Sequence, residues 1–136
     1  MRFFLSLLFA ALLPALAAPM ASAQLSQIDM TDREIRDFLG GNTIGAHNWG
    51  DGDEISLEYH SRDGVALWNE AGELSVGLYR VKNGRVCYTY EGPNLGEWYC
   101  WEFKKDRRTS EVTQWAPFGS SYRLFVHAEG DVVSDL

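Results

Sequence analysis

The sequence has 136 residues, with 12 Lys and Arg against 19 Asp and Glu, so its formal net charge is −7. This length predicts one domain, and the acidic balance argues against nucleic-acid-binding and polybasic membrane-surface proteins. Hydrophobic residues make up 46% of the chain, which is typical of globular rather than disordered proteins. With 5 Trp, 6 Tyr and 7 Phe, aromatic side chains are expected to build much of the core.

Residues 1–23 have the features of a secretory signal peptide. Arg2 precedes an apolar run over residues 3–13, and small residues lead to an Ala-Ser-Ala motif at 21–23. We therefore predict cleavage before Gln24 and export to the periplasm or out of the cell. Pro14 interrupts the apolar run, which makes it too short for a membrane anchor. The mature chain is expected to have no membrane span.

The mature chain is expected to begin with one short helix. Residues 31–34 (Thr-Asp-Arg-Glu) match a capping box, in which the first and last side chains cap each other's amide groups. Ile35 and Leu39 give the segment an apolar face, and the glycines at 40–41 end it. These signals predict a helix over residues 32–39.

After the helix, the pattern changes to short strands joined by turns. Residues 54–60 alternate at period two, and Asn83-Gly84 is a strong signal for a tight hairpin. The predicted strands cover residues 42–46, 54–60, 65–69, 74–81, 86–91, 97–104, 109–115 and 122–128. Consecutive hairpins predict a mainly β, antiparallel up-and-down barrel of about eight strands, with a β-sandwich as the alternative. The barrel domain would cover residues 24–130, followed by a flexible acidic tail over 131–136.

The two cysteines, Cys87 and Cys100, are expected to form a structural disulfide. In an exported protein an isolated pair of cysteines usually bridges. If Pro93-Asn94 is the centre of a hairpin, Cys87 lies directly opposite Cys100, and Arg85 lies opposite Glu102. A redox pair or half of a metal site is the alternative, but there is no Cys-x-x-Cys motif and no His at metal-binding spacing.

The same registers predict an aromatic face on the neighbouring strands. Tyr79 would lie opposite Tyr88, and Gly77 would leave room for the ring of Tyr90. The candidate ligand-binding residues on this face are Tyr79, Tyr88, Tyr90, Tyr99 and Trp101, beside the apolar Val81, Val86 and Phe103. Buried Tyr hydroxyls need hydrogen-bond partners, which a small ligand would provide. The alternative is an aromatic core without a ligand. The opposite face carries Leu74, Val76, Leu78 and Trp98, so the sequence leaves open which face points inward.

The loop at residues 47–54 supplies further candidates. His47 and Trp49 are expected to line the mouth of the barrel, where loops often carry recognition residues. The carboxylates at 51, 53 and 54 suit a hard cation, but the loop does not match the EF-hand pattern, so an ordinary turn is the preferred interpretation. His60 and His127 are expected on the surface. No motif for a cofactor, a catalytic metal or a nucleophile is present, and we predict no metal, cofactor or catalytic residue.

Several short motifs resemble a known family. They are Leu39-Gly40-Gly41-Asn42-Thr43, Asp63-Gly64, Gly77-Leu78-Tyr79-Arg80-Val81, Val86-Cys87-Tyr88 and Trp98-Tyr99-Cys100. In this order they resemble small exported proteobacterial proteins grouped as the domain of unknown function 995. The resemblance covers about residues 31–103 and implies a lipocalin-like or related small barrel with no established activity. True lipocalins carry Gly-x-Trp on their first strand, whereas here Gly45 and Trp49 have a different spacing, so lipocalin ligands are not carried over.

These observations predict a non-enzymatic periplasmic or secreted barrel that binds a small or envelope-derived ligand. The alternative is a protein-interaction module, such as an inhibitor of a cationic, lysozyme-like envelope enzyme, because the chain is acidic. An enzyme would be favoured if a His and carboxylates met in one cleft.

Overall fold

The structure, a computed structural model, describes residues 26–48, 55–70, 72–92 and 96–136. The predicted signal peptide, Trp49 and the carboxylates at 51, 53 and 54 lie outside these residues. The described elements are β1 (Gln27–Asp29), α1 (Asp32–Leu39), β2 (Asn42–Asn48), β3 (Ile55–His60), β4 (Val65–Glu70), β5 (Glu73–Lys82), β6 (Arg85–Tyr90), β7 (Tyr99–Asp106), β8 (Val112–Trp115) and β9 (Ser121–Glu129).

Strands β2 to β9 form a closed antiparallel barrel. Each strand pairs with the next along the chain, and β9 returns to pair with β2. This confirms the predicted eight-stranded up-and-down barrel and excludes the sandwich. β1 is an extra strand that the sequence analysis missed, and it pairs with the last residues of β7. Closure of the barrel removes the exposed strand edges that an open sheet would present.

The hairpin registers around the disulfide are as predicted. Asn83 and Gly84 have φ of 56° and 71°, as the tight turn requires, and Tyr79 lies opposite Tyr88. Cys87 lies opposite Cys100, and the two form the disulfide. Strands β5, β6 and β7 therefore have the register that the Asn83-Gly84 turn and the cysteines indicate.

Helix α1 closes one end of the barrel. Its bounds match the prediction, and both hydrogen bonds of the capping box at Thr31 are formed. Ile35 and Leu39 are fully buried. The carboxylate of Asp32 accepts hydrogen bonds from the backbone N–H groups of Asn83 and Gly84, at 3.2 and 2.7 Å. The helix is thus attached to the β5–β6 turn as well as packed on the core.

The apolar core fills the half of the barrel next to α1. Its buried members are Met30, Ile35, Leu39, Ile44, Ala66, Val81, Val86, Tyr88, Phe103, Val112 and Leu124. We call the end away from α1 the distal end; there the inward aromatic residues Tyr90, Trp101 and Tyr122 are only partly buried. The barrel therefore has an apolar, filled half and a distal half with accessible aromatic rings.

One strand begins later than the sequence predicts, and the residues after β9 make contacts with the barrel. β8 begins at Val112 rather than near Thr109, because the chain first turns around Asp106, whose carboxylate accepts hydrogen bonds from the backbone of Arg108 and Thr109. Val133 is fully buried, and the N–H of Val132 bonds the Thr43 hydroxyl. They join residues 132 and 133 to the body of the barrel, and the flexibility of the segment 131–136 stays a prediction.

Candidate functional site

Five polar or aromatic side chains meet inside the barrel and form what we call the polar cluster. Glu58 and His60 come from β3, Tyr79 from β5, and Tyr88 and Tyr90 from β6. His60 packs edge-on against Tyr79 and Tyr88, with ring centroids 5.0 and 5.7 Å apart. Tyr88 and Tyr90 stack at 6.2 Å with nearly parallel rings. The structure therefore brings together three of the predicted tyrosines and two residues that the sequence analysis did not place there.

Hydrogen bonds connect the members of the polar cluster. The Tyr88 hydroxyl lies 3.0 Å from His60 Nε2, and a Glu58 carboxylate oxygen lies 3.5 Å from the same nitrogen. Tyr90 donates a short hydrogen bond to the other oxygen of Glu58. Tyr79 donates to the backbone carbonyl of Ser61 at 2.6 Å. A continuous chain of polar contacts thus runs from Tyr90 through Glu58 and His60 to Tyr88.

The cluster is buried most deeply at His60 and becomes more accessible toward Glu58. His60 lies at the α1 end of β3 and is 1% exposed, whereas the Glu58 side chain is 22% exposed. Tyr90 is also partly buried, and its ring lies 5.8 Å from that of Trp68 on β4. A molecule approaching from the distal end would reach Trp68 and then Tyr90 and Glu58 before the other members of the cluster.

Gly77 provides the space that the Tyr90 ring occupies, as the sequence predicts. A Cβ atom on Gly77 would lie 2.6 Å from Tyr90 Cδ1 and 2.5 Å from the backbone oxygen of Thr89. Both distances are shorter than van der Waals contact. The glycine therefore fixes how closely β5 and β6 approach and where the Tyr90 ring lies.

Replacing Gly77 with Ala is accordingly expected to lower the free energy of unfolding by about 1–3 kcal/mol, because the added methyl group overpacks the site. Urea unfolding followed by Trp fluorescence measures this change. Ser75→Ala, two residues earlier on the same face of β5, is the matched control and is expected to change stability by less than about 0.5 kcal/mol. Equal stability of Gly77→Ala and the wild type would contradict the role given to this glycine.

Burial shifts the proton affinities of the cluster in opposite directions. It raises the pKa of Glu58 from 4.5 to about 7, against the opposing effect of the Tyr90 hydrogen bond. It lowers the pKa of His60 from 6.5 to about 3. It also raises the pKa values of Tyr88 and Tyr90. Near neutral pH His60 is therefore uncharged, and Glu58 is present in both its protonated and its ionised form.

The imidazole of His60 has one nitrogen without a partner. Its Nδ1 atom is buried and has no hydrogen-bond partner among the described residues. We assign the single ring proton to Nε2, next to Glu58 and Tyr88, because a buried acceptor without a partner is more common than a buried donor without one. The hydrogen bond of Nε2 is then the one to Tyr88, and the Glu58 carboxyl lies beside it at 3.5 Å without requiring a charged imidazole.

The remaining predicted ligand-binding residues lie apart from the polar cluster. Trp101 packs edge-on against Tyr122 at 5.7 Å, in the distal half of the barrel. Tyr99 is 51% exposed and its hydroxyl donates to Glu97. His47 packs on Phe125 with centroids 4.9 Å apart, on the outer face of β2, because the inward positions are those of Ile44 and Ala46. Tyr99 and His47 therefore do not line the interior next to Glu58.

The surface position predicted for His60 is wrong. In β3 the polar residues Glu58 and His60 point inward, whereas Leu57 and Tyr59 occupy the outer face and are half-buried there. The usual pattern places apolar residues inward, so the alternation of β3 indicates the opposite orientation. His127 is exposed, as expected. The sequence signal for these two members of the cluster was that Glu58 and His60 share a face of β3 at period two.

Within residues 26–48, 55–70, 72–92 and 96–136, no three His, Cys, Asp or Glu side chains are grouped so that they could hold a metal ion. In those ranges no helix has the length and apolar character needed to cross a membrane.

Comparisons with protein-family models, with curated proteins and with solved structures found no match. The resemblance to the domain of unknown function 995 therefore stays a prediction, and the candidate site is interpreted from its own geometry.

Proposed function

We propose that this chain is an exported barrel protein that binds a small molecule in the distal half of the barrel and does not catalyse a reaction. The observation that carries the proposal is the Glu58 side chain, which is 22% exposed, accepts a hydrogen bond from Tyr90 and lies opposite Trp68 in the β3–β4 ladder. Small-molecule sites combine apolar and aromatic walls with a few fixed polar groups. This arrangement suits a flat or apolar ligand that carries a hydrogen-bond donor.

The polar cluster supports binding rather than catalysis. A His and a carboxylate do meet here, but His60 is 1% exposed and lies behind Glu58. General acid–base catalysis requires a group within hydrogen-bond reach of the reacting atom. Of this pair only Glu58 is accessible from the distal end, so the buried His60 and Tyr88 orient Glu58 rather than contact a ligand.

The disulfide supports the proposed export. Cys87 and Cys100 are bridged, and disulfides persist in the periplasm and outside the cell but are rare in the cytosol. Together with the signal-like features of residues 1–23, this favours a periplasmic or secreted protein.

Native mass spectrometry of the protein purified from its own organism tests the proposal. We expect a co-purified small molecule on the wild type, and at least about a tenfold lower occupancy on Glu58→Gln, whose amide cannot ionise to the carboxylate that a ligand's hydrogen-bond donor favours. Glu129→Gln makes the same charge change at an exposed position beside α1 and should retain the ligand. Absence of any small molecule from the wild type, or equal occupancy on Glu58→Gln, would contradict the proposal.

A second candidate function is a protein-interaction module that inhibits a cationic, lysozyme-like envelope enzyme. The formal net charge of −7 favours this partner, since complementary charge steers association. Binding to lysozyme at low and high salt tests it. A complex that weakens with salt is expected, and no complex at low salt would remove this candidate.

A further inference from the structure

The outer face of the β5–β6 hairpin carries a concave cleft of about 550 Å³. It is lined by Arg80, Lys82, Asn83, Arg85 and Cys87. These side chains point away from the polar cluster, because they alternate along the strands with the buried Val81 and Val86. We call this feature the basic cleft.

The basic cleft concentrates positive charge on an acidic protein. Lys82 and Arg85 lie directly opposite each other in the β5–β6 ladder, and like charges in that position are destabilising. Arg85 is paired with Glu102 at 3.1 Å. Among the described residues, Arg80 and Lys82 have no acidic partner. Of these three cations, therefore, only Arg85 has its charge offset by a carboxylate of the described residues.

The cations of the cleft are also held on a rigid support. The Arg80 guanidinium lies 4.1 Å from the centroid of the Trp98 ring, a cation–π contact that restricts its orientation. The disulfide joins β6 to β7 beside it, and Asp32 holds the turn through the amides of Asn83 and Gly84. A preorganised site loses less conformational entropy on binding than a set of mobile surface side chains.

We propose that the basic cleft binds a ligand carrying two or more phosphate or carboxylate groups. Arg80 and Arg85 present the planar donor groups that bind such anions in a bidentate manner, and Lys82 adds a third charge. Binding would also relieve the repulsion between Lys82 and Arg85. This site lies on the outer wall and does not depend on the ligand proposed for the interior.

Isothermal titration calorimetry with two probes tests the proposal. Inositol hexakisphosphate supplies phosphates and a galacturonate oligomer supplies carboxylates, so the probe that binds identifies the anionic group. We expect saturable binding of at least one probe at low salt, weakened at least about tenfold by the double substitution Arg80→Gln/Lys82→Gln, which removes two charge-assisted contacts. Glu102→Gln frees Arg85 and is expected to tighten binding.

Arg107→Gln/Arg108→Gln is the matched control. It makes the same change in net charge at exposed residues of the β7–β8 turn and should leave the affinity within about twofold of the wild type at equal ionic strength. Circular dichroism verifies that each variant is folded. The proposal is overturned if neither probe binds, if Arg80→Gln/Lys82→Gln binds like the wild type, or if the control weakens binding equally.

Discussion

Relative to the wild type, a His60→Gln variant is expected to gain about 4 kcal/mol in the free energy of unfolding as the pH falls from 6.5 to 3. In the folded wild type the pKa of His60 is about 3, against 6.5 in an ordinary environment. Between these values the unfolded chain takes up a proton that the folded chain does not. Taken alone, this contribution of His60 lowers the free energy of unfolding as the pH falls, and a side chain that does not titrate removes it.

The geometry around His60 explains why the folded protein resists that proton. Its Nε2 atom already faces Glu58 and Tyr88. A second proton would sit on Nδ1, which is buried and makes no hydrogen bond to the described residues. An unpaired buried donor is costly, and burial adds the desolvation cost of the positive charge.

Urea unfolding at several pH values between 3.5 and 7 measures the effect. Only the change with pH is diagnostic, because Gln also alters packing and shifts the whole curve. His127→Gln is the control, since His127 is exposed, and its curve should run parallel to that of the wild type. A His60→Gln curve that also runs parallel to the wild type would contradict the low pKa of His60.

Glu58→Gln is expected to behave in the opposite way. Relative to the wild type it should gain about 3 kcal/mol in the free energy of unfolding as the pH rises from 4.5 to 7. The folded pKa of Glu58 is raised, so its contribution to stability is fully present below pH 4.5 and is lost as the pH rises through 7. The Gln amide keeps an acceptor for Tyr90 but cannot ionise.

Urea unfolding at several pH values also measures the change for Glu58→Gln, with Glu129→Gln as the charge-matched control.

In the wild type the contributions of Glu58 and His60 to the pH dependence of stability cancel between about pH 4.5 and 6.5. In that range the unfolded chain holds one proton on His60, and the folded chain holds one on Glu58. The pair therefore adds no pH dependence until one member is replaced. If the difference in the free energy of unfolding between Glu58→Gln and the wild type does not rise with pH, the raised pKa of Glu58 is contradicted.

Much of the fold could be predicted because local signals determine it. The capping box at Thr31 defines the start of α1, and Asn83-Gly84 fixes the register of β5 and β6. The opposed cysteines then fix β7 against β6. β1 escaped prediction because three residues, Gln27–Asp29, carry too little pattern to indicate a strand.

The polar cluster could be predicted only in part. The registers place Tyr79, Tyr88 and Tyr90 on one face, since these residues lie on adjacent strands. His60 and Tyr88 are joined across the barrel from strands that are not neighbours, and no turn in the sequence determines that contact. In β3 the apolar Leu57 and Tyr59 suggest the wrong inward face. Tyrosine hydroxyls in the interior make the inward Glu58 and His60 favourable, because each gains a hydrogen-bond partner.

The central claim is that the proton of the Glu58–His60 pair resides on Glu58 in the folded protein. A pH titration of the Glu58 carboxyl carbon and the His60 ring by nuclear magnetic resonance tests it most directly. We expect a midpoint near pH 7 for Glu58 and a His60 ring that stays neutral down to about pH 3. Midpoints near 4.5 for Glu58 and 6.5 for His60 would contradict the claim and remove the basis for a preorganised Glu58 in the barrel.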